Sequence, residues 1–257
     1  MFIVLSPAKR LLTFSAPYIG KTTEPLFNNK TLTLAREMKS KSVEQIANLM
    51  DLSKNLAVLN YDRYQQFKLK NCPPEQSYPA FLFFQGDVYQ GLSANQWSED
   101  DLNFAQNHLG ILSGLYGLLR PLDRIQPYRL EMGVHLANPE GDNLYDFWRE
   151  TLSKKLNEHL ALQANPVLIN LSSIEYFKAV DEKKLQFPVL TINFYEKKNN
   201  EIKMIGVHAK KARGLMANYL IKNRVNSIEK IKEFSQSGYQ FCPDSSSEND
   251  LNFLRVH

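Results

Sequence analysis

GILSGLYGLLRPLDRIQPYRLEMG, residues 110–133, carries more information than any other stretch of the chain. A helical pattern runs into Gly114-Leu-Tyr-Gly117, resumes for one turn and stops at Arg120-Pro121, where proline cannot continue it. Arg124, Tyr128 and Arg129 follow among turn formers. Two glycines three apart between apolar runs let backbone amides come close to a partner. The flanking arginines suit an anion, with phosphate the natural candidate. Such a segment has the outline of a helix-hairpin-helix, whose turn amides donate to a phosphate oxygen. The usual hairpin has Gly-apolar-Gly, whereas two residues separate the glycines here, and Pro121 shortens the second helix. Glycines that only permit close packing are the alternative reading.

At 257 residues the chain is long enough for a full core. Its 43% hydrophobic and 23% charged content is that of a soluble globular protein. The start, MFIVLSPAK, reads as a first strand rather than a leader. No run approaches the roughly 18 apolar residues of a membrane span, so the expected location is cytoplasmic. Cys72 and Cys242 stand alone, without disulfide or CxxC spacing. The net charge of +4 is unevenly placed: Lys197–Lys232 holds ten Lys/Arg against Glu201 and Glu229. Basicity gathered on one segment is the footprint of a polyanion binder, or else a solvated lysine-rich surface.

The pattern predicts a strand at Phe2–Leu5, then Ser6-Pro7 as cap and first turn of a helix. It predicts helices over Asn29–Lys39, from the Ser42–Gln45 capping box, and from Ser53 to Phe67. Ala80–Phe84 reads as a strand. A helix capped by Ser98 carries Leu102, Ala105, Leu109 and Leu112 on one stripe. Asn143–Leu162 is a long amphipathic helix, Val167–Leu171 a strand and Glu175–Val180 a short helix. Val189–Glu196 and Glu201–His208 form a hairpin around Lys197–Asn200. Helices follow over Ala209–Asn223 and from Ser227 to Phe234, before strands at Tyr239–Cys242 and Asn252–Val256. Strands and helices intermingle without a regular βαβ beat. The expected class is α+β, one domain over 1–257, with a mixed β-sheet wrapped by helices and a helix-hairpin-helix-like element.

Three more groups bear on chemistry. Lys210-Lys211-Ala212-Arg213 enters a helix, with Lys210 and Arg213 on one face. Three cations in one turn repel each other unless an anion is shared, and a DNA backbone would supply it. Lys9, with Arg10, follows the first strand and suits phosphate contact; in a closed cleft Lys9 would also serve as a nucleophile or acid/base group. Asp87, Tyr89, Glu131, Ser172, Ser173 and Glu175 fall in turns that would gather at one sheet edge, although each also fits a capping or turn role. His108, His135, His159, His208 and His257 are scattered without metal-ligand spacing, so no metal site and no cofactor are expected.

Together, SPAK (6–9), GDVYQGL (86–92), FAQ (104–106), LSGLYGLLRPLD (112–123), PYRLEMG (127–133), LYDFW (144–148), EYFK (175–178) and KKARGLM (210–216) resemble the YaaA family of bacterial peroxide-stress resistance proteins, nearly end to end and in order. The resemblance implies a cytosolic protein that limits oxidative damage when hydrogen peroxide rises, linked in the family to lowered unincorporated iron. It also implies DNA binding through a positively charged cleft and a helix-hairpin-helix in an unusual single-domain fold. Carried onto this chain, the hairpin falls on Ser113, Gly114, Leu115, Tyr116 and Gly117. The cleft cations fall on Lys9, Arg120, Arg129, Lys210, Lys211 and Arg213. Gln85 precedes GDVY where the resemblance leads one to expect lysine, so no cation is placed there. The resemblance supplies no catalytic residue, and iron control alone does not imply an iron site.

The expectation is therefore a monomeric DNA-binding protein that contacts phosphates of double-stranded or distorted DNA, with no membrane partner. The rival is a lyase or glycosylase acting on a nucleotide or damaged base, with Lys9, Asp87 and Glu131 as candidate catalytic groups beside Tyr89 and Arg129. A direct iron chelator is a third reading, opposed by the ligand spacing.

Overall fold

The structure is a computed structural model that describes residues 1–13, 16–199 and 201–257. The chain begins with β1 (Phe2–Leu5), whose four apolar residues are all buried, and β2 (Arg10–Leu11). Three helices follow: α1 (Asn28–Lys39), α2 (Val43–Met50) and α3 (Lys54–Gln66). Short pieces come next: β3 (Tyr78–Pro79), the one-turn α4 (Ala80–Phe83), β4 (Phe84–Gln85) and α5 (Asp87–Leu92). The middle of the chain holds α6 (Glu99–His108), β5 (Leu109–Ser113), β6 (Gly117–Leu119), β7 (Arg124–Ile125) and α7 (Leu144–Ala161). The last part holds β8 (Leu168–Asn170), α8 (Ile174–Phe177), β9 (Val189–Lys198), β10 (Glu201–Lys203), α9 (Gly206–Lys222), α10 (Ile228–Lys232), β11 (Tyr239–Phe241) and β12 (Asp250–Val256).

The principal sheet runs in the order β11-β12-β9-β8-β1-β5-β6, with β10 paired to β9. Its five inner strands, β12 through β5, are parallel, while β11, β6 and β10 run antiparallel to their neighbours. This is the expected mixed sheet with helices packed on it. The inner strands β1, β5 and β8 are buried at every position, as parallel strands covered on both faces must be. β9 alternates buried with partly exposed residues along most of its length. Because β1, β5 and β8 are parallel, their carboxyl ends open onto one edge, the usual place for a ligand in such sheets.

Capping chemistry holds at the two boxes, whereas Ser53 precedes α3 without a side-chain cap hydrogen bond. Ser42 and Gln45 form a complete capping box, as do Ser98 and Asp101. Asn143 and Ser227 cap α7 and α10. The β9–β10 hairpin forms with Lys198 opposite Glu201; Asn200 lies outside the described residues.

Residues 109–119 overturn the expected helix-hairpin-helix. α6 stops at His108, and the next eleven residues are a β-hairpin in which Ser113 pairs with Gly117. A short apolar run fits a buried strand as well as a helix, and pairing of Ile3 with Leu109 and Leu5 with Ile111 decides the matter. Ser113, Gly114, Leu115, Tyr116 and Gly117 are all buried, so their amides face the interior. A methyl group on Gly114 would overlap the Leu130 carbonyl oxygen. The close approach is real, but the partner is the chain's own backbone.

Three smaller expectations also change. No helix starts at Ser6-Pro7; the chain passes without regular structure through a bend at Lys9 into β2, which pairs with β4. Ala80–Phe83 is one helical turn rather than a strand, and of the expected Ala80–Phe84 strand only Phe84 is extended, in β4. The second arm of the hairpin ends at Lys203, and α9 begins at Gly206.

The short helix α5 packs against α9 at a glycine crossing. A methyl on Gly91 would overlap the Lys211 carbonyl oxygen, and one on Gly214 would overlap that of Val88. Farther along α9, Lys222 and the following Arg224 both reach Asp101, at 2.9 Å each. The Lys222 ammonium, helped by Ser98 and Arg224, holds the Asp101 carboxyl well below the usual aspartate value despite burial acting the other way.

Two outcomes follow. Gly214→Ala should destabilise the protein by about 2 kcal/mol, the cost of overpacking, read as a lower urea midpoint. A carboxyl whose folded pKa is depressed contributes stability above the unfolded value of 3.8 and loses it as pH falls. Urea stability should therefore drop more between about pH 5 and about pH 3 in the wild type than in Asp101→Asn.

Candidate functional site

At the carboxyl edge of the parallel strands lies a cavity of about 310 Å³. Four segments build it: Ser6–Arg10 after β1, Gln85–Val88 at the start of α5, Tyr128–Glu131, and the start of α8 with its cap Ser173 and with Glu175 and Tyr176. Lys210 and Arg213 close it from α9. A shallower groove continues from it, sharing Lys9, Arg129, Glu131 and Glu175 and reaching His135.

Hydrogen bonds hold these segments in place. The Tyr89 hydroxyl donates to the Ser6 carbonyl at 3.0 Å, and the Ser173 amide donates to Ser6 Oγ at 2.8 Å. Tyr128 and Ser113 join through their hydroxyls at 2.7 Å. The Tyr64 hydroxyl donates to the Arg129 carbonyl at 3.0 Å, and Trp148 Nε1 to the Gly114 carbonyl at 2.8 Å. Thus the buried β5–β6 turn supports the 128–131 segment from beneath. The Gly133 amide donates to Glu175 Oε1 at 3.1 Å, linking that segment to α8. Burial pushes up the phenols of Tyr128 and Tyr176, which line the cavity, and of Tyr89 behind it, so all three stay neutral.

Five cations (Lys9, Arg10, Arg129, Lys210, Arg213) and three carboxylates (Asp87, Glu131, Glu175) line the cavity. Arg129 donates through Nε and Nη2 to Glu131 Oε1, at 3.0 and 2.9 Å, and Lys9 Nζ lies 3.2 Å from the same oxygen. Glu131 Oε2 is enclosed and has no donor. Arg213 differs from the other cations. Its Nε is enclosed without an acceptor, and among the described residues no carboxylate forms an ion pair with it. Burial, with no compensating charge, lowers its guanidinium pKa. A charge withdrawn from water without a counter-ion costs several kcal/mol. An incoming anion removes that cost and receives a planar donor fork suited to phosphate oxygens.

Of the residues singled out by sequence, Lys9, Asp87, Arg129, Glu131, Lys210 and Arg213 meet in this cavity. Arg120 does not: its guanidinium forks onto the fully buried Asp123, with Nη2 at 2.8 Å from Oδ1, and reaches the Glu24 carbonyl. Lys211 is exposed beside α5 and does not line the cavity. Ser113–Gly117 lie beneath it, and Tyr89 is buried behind Ser6. Lys9 is 67% exposed and ion-paired, not a desolvated amine. The basic window is also less uniform than its charge suggested, since Lys203, Lys222, Arg224 and Lys232 each hold a carboxylate. Tyr176 was not anticipated as a wall, because a buried aromatic in EYFK reads as core. Among the described residues, no group of three or more His, Cys, Asp or Glu is placed to hold a metal ion, and no helix is long and apolar enough to cross a membrane.

Comparison with known proteins gives a consistent result. A family model described as "Peroxide stress protein YaaA" matches residues 1–245. A "UPF0246 protein" of Legionella pneumophila (strain Philadelphia 1) is 64% identical over 257 residues, covering all of both chains. Another "UPF0246 protein", from Tolumonas auensis, is 47% identical over 255 residues, covering 99% of this chain and 98% of its own.

An unpaired Arg213 with its Nε enclosed has a measurable consequence. In phosphate-free buffer Arg213→Met should raise the melting temperature, because it removes an uncompensated charge. Inorganic phosphate should raise the melting temperature of the wild type by binding the native state, and should raise that of Arg213→Met far less.

Proposed function

This chain belongs to the peroxide stress protein YaaA family, and we propose that it acts in the peroxide response as a cytoplasmic DNA-binding protein whose cleft holds strand phosphates. One observation carries this reading: Arg213, half-buried with its Nε enclosed and with no counter-ion among the described residues, shares a cavity with Lys9, Arg129 and Lys210. The contact elements are the cleft and the first turns of α9. The β5–β6 turn supports them from below and touches no nucleic acid. Lys210 and the neighbouring Lys211, both exposed, extend the positive surface from the cavity onto the helix. All of these groups come from one chain, so a monomer suffices.

Phosphate contact also connects DNA binding with peroxide resistance. Lysine and arginine that neutralise backbone phosphates release condensed counterions. Ferrous ions are among the cations such a backbone holds, and iron held on DNA is where hydrogen peroxide damages the strand. A bound protein lowers that local iron without needing a metal site. Base-specific reading is not part of the proposal, since phosphate contacts position a protein and carry no sequence information directly.

The test is the salt dependence of duplex binding. Each phosphate contact contributes about −0.9 to the slope of log affinity against log salt. The double variant Lys210→Ala/Lys211→Ala, which removes the two exposed cations of the first turns of α9, should lose most of its affinity and show a slope shallower by roughly two. Lys232→Ala, which removes a cation paired with Glu229, should leave the slope unchanged. Equal affinity and slope in the double variant and the wild type would rule out the cleft as the contact surface.

A further inference from the structure

We propose that the cavity is a site for one nucleotide, with its phosphate on Arg213 and its base against the neighbouring walls. In its strand-borne form this rests on the DNA reading above; the nucleotide then comes from an unpaired or withdrawn position rather than from within the paired helix.

The argument begins with a gradient of exposure. Lys9, at the rim, has 67% of its side chain in solvent. Arg129 and Glu131, farther in, retain 15% and 12%, and at this depth Glu131 Oε2 and the Nε of the half-buried Arg213 are both enclosed without a partner. A paired duplex presents its phosphates on a convex surface and meets the rim first. Its phosphates reach Lys9, Lys210 and Lys211, while Arg213 keeps its uncompensated charge. A phosphate reaches Arg213 only if its nucleotide leaves the regular stack.

Size and lining agree with this. A cavity of about 310 Å³ lies at the small end of the roughly 300–1,000 Å³ typical of small-ligand sites. It suits a single nucleotide and is far too small for a stretch of duplex. Beside the cations its walls include Pro7, Ala8, Val88, Leu130 and the buried Tyr176. These surfaces are superfluous for a phosphate but suit the face of a base, which enzymes and readers of extruded nucleotides commonly hold against apolar and aromatic groups. Withdrawing a base is least costly where it is already unpaired, so the protein should prefer strands that carry such a position.

The same ligand chemistry has two sources, a nucleotide within a strand and a free nucleoside monophosphate, and the experiment separates them. Binding of the wild-type protein is measured for a paired duplex, for the same duplex with one unpaired 2-aminopurine nucleotide, and for the free 2-aminopurine deoxynucleoside 5′-monophosphate. The strand-borne form predicts about tenfold tighter binding of the duplex with the unpaired position. It also predicts a change in 2-aminopurine emission on binding, as the base exchanges its stacked neighbours for the cavity. Ala8→Leu, which fills the cavity and alters no charge, should remove both effects. Binding of the monophosphate without binding of either duplex supports the nucleotide site and overturns the DNA reading. Equal binding of both duplexes, with unchanged emission and no competition by the monophosphate, overturns the nucleotide site and leaves the DNA reading standing. If none of the three binds, both fall.

Discussion

The carbonyl oxygen of Leu130 stands where a side chain on residue 114 would have to be, and this contact between two backbones sets the floor of the cleft. It brings the Tyr128–Glu131 segment down onto the β5–β6 turn. The Tyr128–Ser113 hydroxyl pair, Trp148 on the Gly114 carbonyl and Tyr64 on the Arg129 carbonyl then fix that segment from three directions. With its backbone held, Arg129 and Glu131 have little choice of where to project. The glycine-rich motif therefore matters to the site without touching a ligand. It is the bed on which the charged segment lies.

The opposite wall depends on a second close approach, the Gly91–Gly214 crossing that seats α5 against α9. It places Lys210 and Arg213 over the loop that follows β1. Charge in the cleft is then divided unequally. Glu131 satisfies Arg129 and Lys9 together, whereas Arg213 receives no carboxylate from the described residues. Folding concentrates an unfavourable term at one side chain that a hydrophobic residue of similar length would avoid. Local rules broken in this way, with no compensation inside the protein, are characteristic of binding sites. Positive potential is thus focused inside a small cavity instead of being spread over a broad basic face, and that favours entry of individual phosphates.

Helix starts were legible because capping is local. Ser42 with Gln45, Ser98 with Asp101, Asn143 and Ser227 bond to groups within three residues, and nothing distant competes. β1 and the β9–β10 hairpin were legible for a similar reason, an unbroken apolar run and a tight polar turn. Leu109–Leu119 was not. Its short apolar runs fit either period, and the β1 strand that selects the extended form lies at the far end of the sequence. Ala80–Phe83 went the opposite way, a strand-like composition taken into a helical turn. Counting charge along Lys197–Lys232 likewise exaggerated the basic surface, since partners such as Asp101 come from another element.

By itself the sequence determined the α+β class, most helix boundaries, family membership and the residue types available for holding an anion. Each of these depends on neighbours in the chain or on composition. Which cations act together was decided only by the tertiary structure: Lys9, Arg129, Lys210 and Arg213 converge, Arg120 is absorbed by Asp123, and the Gly114–Gly117 turn is buried. Burial and ion pairing are relations between distant segments, and no local pattern records whether an arginine will find its carboxylate inside the protein or must wait for an anion from outside.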